Sequence, residues 1–176
     1  MSGRKQVERF STLRLTTAAL FMAMNIAMSS FGVPVPGGHF YLNDIVICTA
    51  AILLDPLAAF MVGGVGAFLG DLFFYPTPMF VSLVTHGLQA VVISLCVRHV
   101  GRDDGKTGAV IGVALGAVIM VAGYSLGRAF LYSTPEYALL KLPYQILQAV
   151  MGAAGGVLLC YGAKLKEKFE YYIRKK

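Results

Sequence analysis

The chain has 176 residues, 57% of them hydrophobic and only 14% charged, at a mean hydropathy of +0.69. Most of it must therefore be apolar on every side, which excludes an ordinary water-soluble domain and points to a membrane. The net charge of +6 would suit nucleic acid, but the basic residues gather at segment ends, where they read as juxtamembrane anchors to the lipid bilayer, so no nucleic-acid partner is expected.

In chain order, a cytoplasmic tail (residues 1–14) carries Arg4, Lys5, Arg9 and Arg14 ahead of a first apolar run, Leu15 to Phe31. It lacks a small-x-small cleavage site and more apolar segments follow, so it reads as a mature helix and not as a secretory signal. Ala19, Ala23 and Ala27 place a smooth, shallow stripe on that helix, a face for another helix to lie or slide on, or an ordinary packing face. A loop rich in proline and glycine follows, Gly32 to Asn43.

Next come Asn43 and Asp44, directly before an apolar stretch of ten residues, Ile45 to Leu54. As helix it rises about 15 Å, roughly half of a bilayer's hydrocarbon core. Full-length runs follow at Leu57 to Leu72, Phe80 to Val97, Thr107 to Leu131 (interrupted by Arg128) and Leu142 to Gly162. External loops "FFYPTPMF" and "YSTPEYALLK" separate them. Cys48, Cys96 and Cys160 fall in different apolar segments, as small buried hydrophobes do, rather than in a disulfide or metal pattern. Glycines at four-residue spacing (Gly66 and Gly70; Gly108, Gly112 and Gly116; Gly152 and Gly156) read as close helix packing within the chain.

The expected fold is an all-α integral membrane domain spanning the whole chain: a six-helix bundle over 15–165 with a short second helix, and a basic cytoplasmic tail over 166–176. With the N-terminus inside, six crossings put thirteen of the fifteen lysines and arginines on the cytoplasmic face, leaving Lys141 outside and Arg128 within a helix. That asymmetry predicts N-in, C-in topology.

Ionisable groups at membrane depth need a reason. Asp44, Asp71, His86 and Arg128 all fall in the outer half, with Gln89, Gln145 and Gln148. They outline a pocket that opens outward and is closed toward the cytoplasm. Each also has a plainer reading: an ion pair for Asp71 and Arg128, helix capping for Asn43 and Asp44, a buried hydrogen-bonded ring for His86. Phe40, Tyr41, Tyr75 and Tyr144 can stack on a flat ring or belong to an interfacial aromatic belt. "GRDDGKT", Gly101 to Thr107, has three residues between its glycines where a phosphate loop needs four, and no preceding strand. Ser82 and His86 stand one turn apart, so an intramembrane hydrolase is one alternative, although no orienting group or oxyanion hole is evident. A self-sufficient small-solute carrier is another.

The stretches "GVPVPGGHFYLNDIVICTAAILLDPLAAFMVGGVGAFLGDLFFYPTPMFVSLVTHGLQA" and "VIMVAGYSLGRAFLYSTPEYALLKLPYQILQAVMGAAGGVLL", with the alanine stripe, resemble an S component, the substrate-binding membrane subunit of the energy-coupling factor (ECF) vitamin transporters, of the riboflavin, pyridoxine and hydroxymethylpyrimidine subgroup. The resemblance covers nearly the whole chain. It implies six helices in the cytoplasmic membrane of a prokaryotic cell, no cofactor and no catalysis. It implies a vitamin-like ligand beneath the loop between helices one and two, a transmembrane coupling subunit that docks on Ala19, Ala23 and Ala27, and two ATPase subunits behind it. It also implies toppling in the membrane to deliver the ligand. Pyridoxine-like or hydroxymethylpyrimidine-like ligands are expected ahead of riboflavin. Polar contacts are expected from Asn43, Asp44, Asp71, His86, Arg128 and Gln148, and ring packing from Phe40, Tyr41, Tyr75 and Tyr144. Thr85 and His86 stand where relatives of this type often carry a lysine, and a histidine can stay neutral and accept a hydrogen bond.

Overall fold

The computed structural model describes residues 12–100 and 105–174. Most of the "GRDDGKT" stretch, Arg4, Lys5 and Arg9 of the tail, and the last two lysines lie outside the described residues. The chain runs as α1 (Thr12–Ser29), a hairpin of β1 (Val33–Val35) and β2 (Gly38–Phe40), then α2 (Asn43–Leu53), α3 (Pro56–Phe74), α4 (Met79–His99), α5 (Lys106–Tyr132), α6 (Pro135–Gly162) and α7 (Leu165–Arg174). Helices α3 to α6 are each long and apolar enough to cross a membrane. Helix α1, expected as a full crossing, has 18 described residues and, judged on those alone, stays outside that set. Arg14, Thr16, Thr17, Asn25 and Ser29 dilute its apolar length.

The short helix α2 is the centre of the bundle. Nine of its eleven residues are buried, and Ile47, Cys48, Ala51 and Ile52 pack with Ala90 and Ile93 of α4, Ala109 and Val113 of α5 and Cys160 of α6. Neither Asn43 nor Asp44 caps it, contrary to the capping expectation: the cap position is Leu42 and no side chain bonds there. Asp55 does cap α3, accepting from Ala58 N at 3.2 Å with Pro56 in the first turn, an arrangement that ends α2 and starts α3 within three residues. Ser94 Oγ takes the Leu54 carbonyl at 2.7 Å.

The glycine stripes pack inside the chain. A Cβ at Gly112 would stand 3.0 Å from Cys96 Cβ, and one at Gly66 would stand 2.8 Å from Asn25 Nδ2. At Gly152 and Gly156 it would run into Asp44 and Cys48 of α2. The alanine stripe differs, since Ala19, Ala23 and Ala27 are all exposed, while Asn25 on another face of α1 is buried and donates to Val62 O at 2.7 Å. That oxygen belongs to a π-helical turn, Met61–Val65, inside α3.

One feature departs from the all-α expectation. The segment after α1 forms a two-stranded antiparallel hairpin with Val35 opposite Gly38, closed by Pro36 and Gly37. Gly37 has φ +81°, the left-handed value that the third residue of a Pro-Gly turn requires. The described part of the basic tail expected over 166–176 is helical, within α7 (Leu165–Arg174).

Candidate functional site

Beneath the hairpin, the ends of α1 to α6 enclose a cavity of about 40 Å³. Seven of the ten expected ligand residues line it: Tyr41, Asn43, Asp71, Tyr75, His86, Arg128 and Gln148. His39, Tyr124, Lys141 and Gln145 join them from the hairpin, α5 and α6. Phe40, Asp44 and Tyr144 are not in its lining. Phe73 and Phe74 point outward, exposed, as an aromatic belt does.

Asn43, His86, Arg128, Lys141, Gln145 and Gln148 are buried, while His39, Asp71 and the tyrosines are half-buried, and hydrogen bonds fix most of these side chains. Asp71 accepts from Ser82 Oγ, which in turn accepts from Tyr124 OH at 2.6 Å. No ion pair joins Asp71 to Arg128. Arg128 opens a π-helical turn, Arg128–Tyr132, at the end of α5. It lies over the Tyr132 ring at 5.5 Å and donates from Nη1 to Gly37 O at 3.0 Å. Lys141, only 2% exposed, donates to His39 O. The two cations thus hold the hairpin by its backbone carbonyls. A third tie comes from Gln148, whose Oε1 accepts from Tyr41 N at 3.1 Å.

Asp44 sits behind the cavity wall. Its Oδ2 accepts from Gln148 Nε2 at 2.7 Å and its Oδ1 from Gln89 Nε2 at 3.2 Å. His86 Nδ1 is 2.7 Å from Gln89 Oε1 and 3.7 Å from Asp44 Oδ1, and its ring meets Tyr124 edge-on, centroids 5.2 Å apart. His39 packs edge-on to Tyr75 at 5.2 Å. Burial first, then the charge of Asp71 and the neighbouring Tyr75, push the Tyr41 phenol up to about 12. It is therefore a neutral hydrogen-bonding group at ordinary pH.

Ser82 and His86 do not form a catalytic pair. The serine is engaged by Asp71 and Tyr124 and the histidine by Gln89. Around the cavity stand donors on Arg128, Lys141 and the tyrosines and acceptors on Asp71 and Asn43, with the His86 ring beside them. Lys141 and His39 were missed as site residues. Lys141 had a signal, because Lys141, Gln145, Gln148 and Gly152 recur at spacings of four, three and four along one face of α6.

A wider cavity, about 270 Å³, opens at the other end of the bundle between Arg14, Arg98, Lys166 and Phe169. It lacks the converging set of buried side chains, and Arg14 there faces Asp55 at 3.8 Å. The hairpin end is the better site.

Comparison with known proteins agrees with this architecture. Residues 9–166 match the model of the family described as "ECF-type riboflavin transporter, S component". An uncharacterized protein from the gap 3′ region of Pyrococcus woesei is 32% identical over 144 residues, covering 79% of this chain and 93% of the relative. The thiamine precursor transporter HmpT of Lactococcus lactis subsp. cremoris (strain MG1363) is 28% identical over 156 residues, covering 86% of this chain and 85% of the relative. The chain belongs to the ECF-type riboflavin transporter S-component family, membrane subunits that bind substrate for vitamin uptake and are not enzymes.

Proposed function

We propose that this chain captures a small, flat, polar vitamin or vitamin precursor in the cavity beneath the hairpin, of hydroxymethylpyrimidine or pyridoxine type ahead of riboflavin. The observation that carries this reading is the convergence of Asn43, Asp71, His86, Arg128, Lys141 and Gln148 on one cavity of about 40 Å³. At about 10–15 Å³ per water-sized probe that space holds three or four waters. A single ring needs far less displacement of the hairpin than a three-ring isoalloxazine does. The relative named for a thiamine precursor points the same way.

In this reading the bundle crosses the cytoplasmic membrane of a prokaryotic cell six times, N-in and C-in, with the hairpin facing outward. The weight of lysine and arginine at the opposite end supports that orientation. Transport energy comes from an ECF transmembrane coupling subunit and two ATPase subunits. The exposed Ala19, Ala23 and Ala27 face is the docking surface for the coupling subunit, and toppling in the membrane delivers the ligand. Asp71, Arg128, His86, Asn43 and Gln148 make polar contacts, and Tyr41 and Tyr75 pack on the ring.

The test is native mass spectrometry of protein purified in mild detergent from cells grown in rich medium. One pyrimidine or pyridine vitamer per chain is the expected result. Bound riboflavin would move the specificity to the flavin. An empty chain that also fails to bind all three compounds in titration refutes the reading, as does Asp71→Ala with Arg128→Ala that leaves uptake and fold intact.

A further inference from the structure

We propose that Asp44 is a positioning residue and not a substrate contact: through Gln89 it fixes His86 with the proton on Nδ1, leaving Nε2 to accept a hydrogen bond from a donor group on the substrate. The word substrate rests on the function proposed above; the relay from Asp44 to His86 does not.

A carboxylate only accepts hydrogen bonds, so Asp44 sets the direction of everything bonded to it. Its two oxygens face Gln89 at 3.2 Å and Gln148 at 2.7 Å, and each glutamine must turn its NH₂ toward it. Each then has only its carbonyl oxygen for the far side. Gln148 spends that oxygen on Tyr41 N–H at 3.1 Å, at the foot of the hairpin. Gln89 presents its own to His86 Nδ1 at 2.7 Å, a distance two acceptors would not share, so Nδ1 carries hydrogen. His86 lines the cavity, and Nε2 is the edge it has left to offer there.

Every member of the relay is locked. Asp44 and Gln89 are each 1% exposed and His86 is 2% exposed, and Gly152 lets Asp44 press against α6. The same wall holds a second acceptor, Asn43 Oδ1, buried and without a partner, while Arg128 and Lys141 supply donors from the hairpin side. The substrate class this selects is a heteroaromatic ring bearing an amino or hydroxyl donor on the edge that meets His86. An analogue with only an acceptor there sets two lone pairs against each other in a dry site, with an expected loss of roughly 10- to 100-fold in affinity.

The relay is tested on the full chain in detergent at pH 8, labelled with ¹⁵N-histidine, with His86→Gln assigning its signal among the three histidines. Nitrogen shifts separate the two neutral tautomers and the imidazolium. Expected are the Nδ1–H form in the unaltered chain and relaxation toward Nε2–H in Gln89→Met. In Asp44→Asn one glutamine has to turn, so either the His86 tautomer changes or the Tyr41 amide exchanges faster. Nε2–H or imidazolium in the unaltered chain overturns the proposal, and so does Asp44→Asn with neither change. The acceptor role is tested by competition between 4-amino-5-hydroxymethyl-2-methylpyrimidine and its 4-methoxy analogue. The amino compound should bind roughly 10- to 100-fold more tightly, with the preference shrinking in Gln89→Met; equal affinities overturn the acceptor role. If neither compound binds, the pyrimidine reading and the acceptor role fall together, while the tautomer still decides the relay.

Discussion

Replacing Lys141 by methionine should loosen the hairpin without unfolding the bundle. Lys141 is 2% exposed and its bond to His39 O is one of three ties from the bundle to this segment, beside Arg128 to Gly37 and Gln148 to Tyr41. A hydrogen bond with a charged partner contributes about 1.5–3 kcal/mol, so its loss should raise the open population of the hairpin about 10- to 150-fold at 1.4 kcal/mol per decade. Global stability should fall by much less, because methionine also removes the cost of desolvating a buried ammonium, which amounts to about several kcal/mol. Hydrogen–deuterium exchange of peptides covering Val33 to Tyr41 measures the opening, and dissociation of bound ligand measures its consequence. Faster exchange confined to that segment, with faster ligand release and a nearly unchanged melting temperature, is expected. Unchanged exchange and release alongside a large drop in melting temperature would refute the reasoning and leave Lys141 a purely structural cation.

Gly37→Val should open the same segment from the turn, since φ is +81° there and a Cβ would lie 2.9 Å from Lys141 Cβ and Tyr137 O; strain of about 1–3 kcal/mol should appear as faster exchange and weaker ligand binding. Gly152→Ala should cost about 1–3 kcal/mol by overpacking α2 against α6 at Asp44, read as a lower melting temperature in detergent, and an unchanged value would contradict the close contact. Ala23→Phe with Ala27→Phe, on the exposed face of α1, should leave ligand affinity and melting unchanged while abolishing uptake in cells that carry the ECF module. The Tyr41 phenol is raised from 10.0 to about 12 by burial and by Asp71. The stability this contributes is complete below pH 10 and is lost as pH rises through 12. Tyr41→Phe should therefore flatten the alkaline limb of the stability profile between those values, and an unaltered limb would show that Tyr41 is not held there.

Much of the fold was legible because membrane segments announce themselves by length and hydropathy, and the four long helices fall close to where the apolar runs stand. The hairpin was less so. "VPVPGGHF" reads as a proline- and glycine-rich loop, and prolines normally demote a strand. Pro34 is tolerated because each strand of a two-stranded hairpin has a free edge, and Pro36-Gly37 is a turn signal that marks two flanking strands as readily as a loop. The crossing expected of α1 is written less plainly, because Asn25 and Ser29, both buried in the bundle, lower the hydropathy of its run.

The lining of the cavity was legible for seven of the ten expected residues, and the direction of their side chains was not. A sequence shows that Asn43 and Asp44 lie at the same depth, but neighbours on a helix point about 100° apart, and that angle decides their roles. Asn43 turns into the cavity. Asp44 turns behind it, onto Gly152 and between two glutamines. Nor does residue type alone pair Asp71 with Ser82 rather than with Arg128, since a carboxylate can satisfy itself with either. The competing demand of the hairpin settles it, because the Gly37 and His39 carbonyls need donors and the cations at the ends of α5 and α6 are within reach. Pairing within a polar cluster is decided by which buried acceptors the backbone creates nearby. Here the backbone in question is a hairpin that composition hides, so the bonds of Arg128 and Lys141 to its carbonyls were hidden with it.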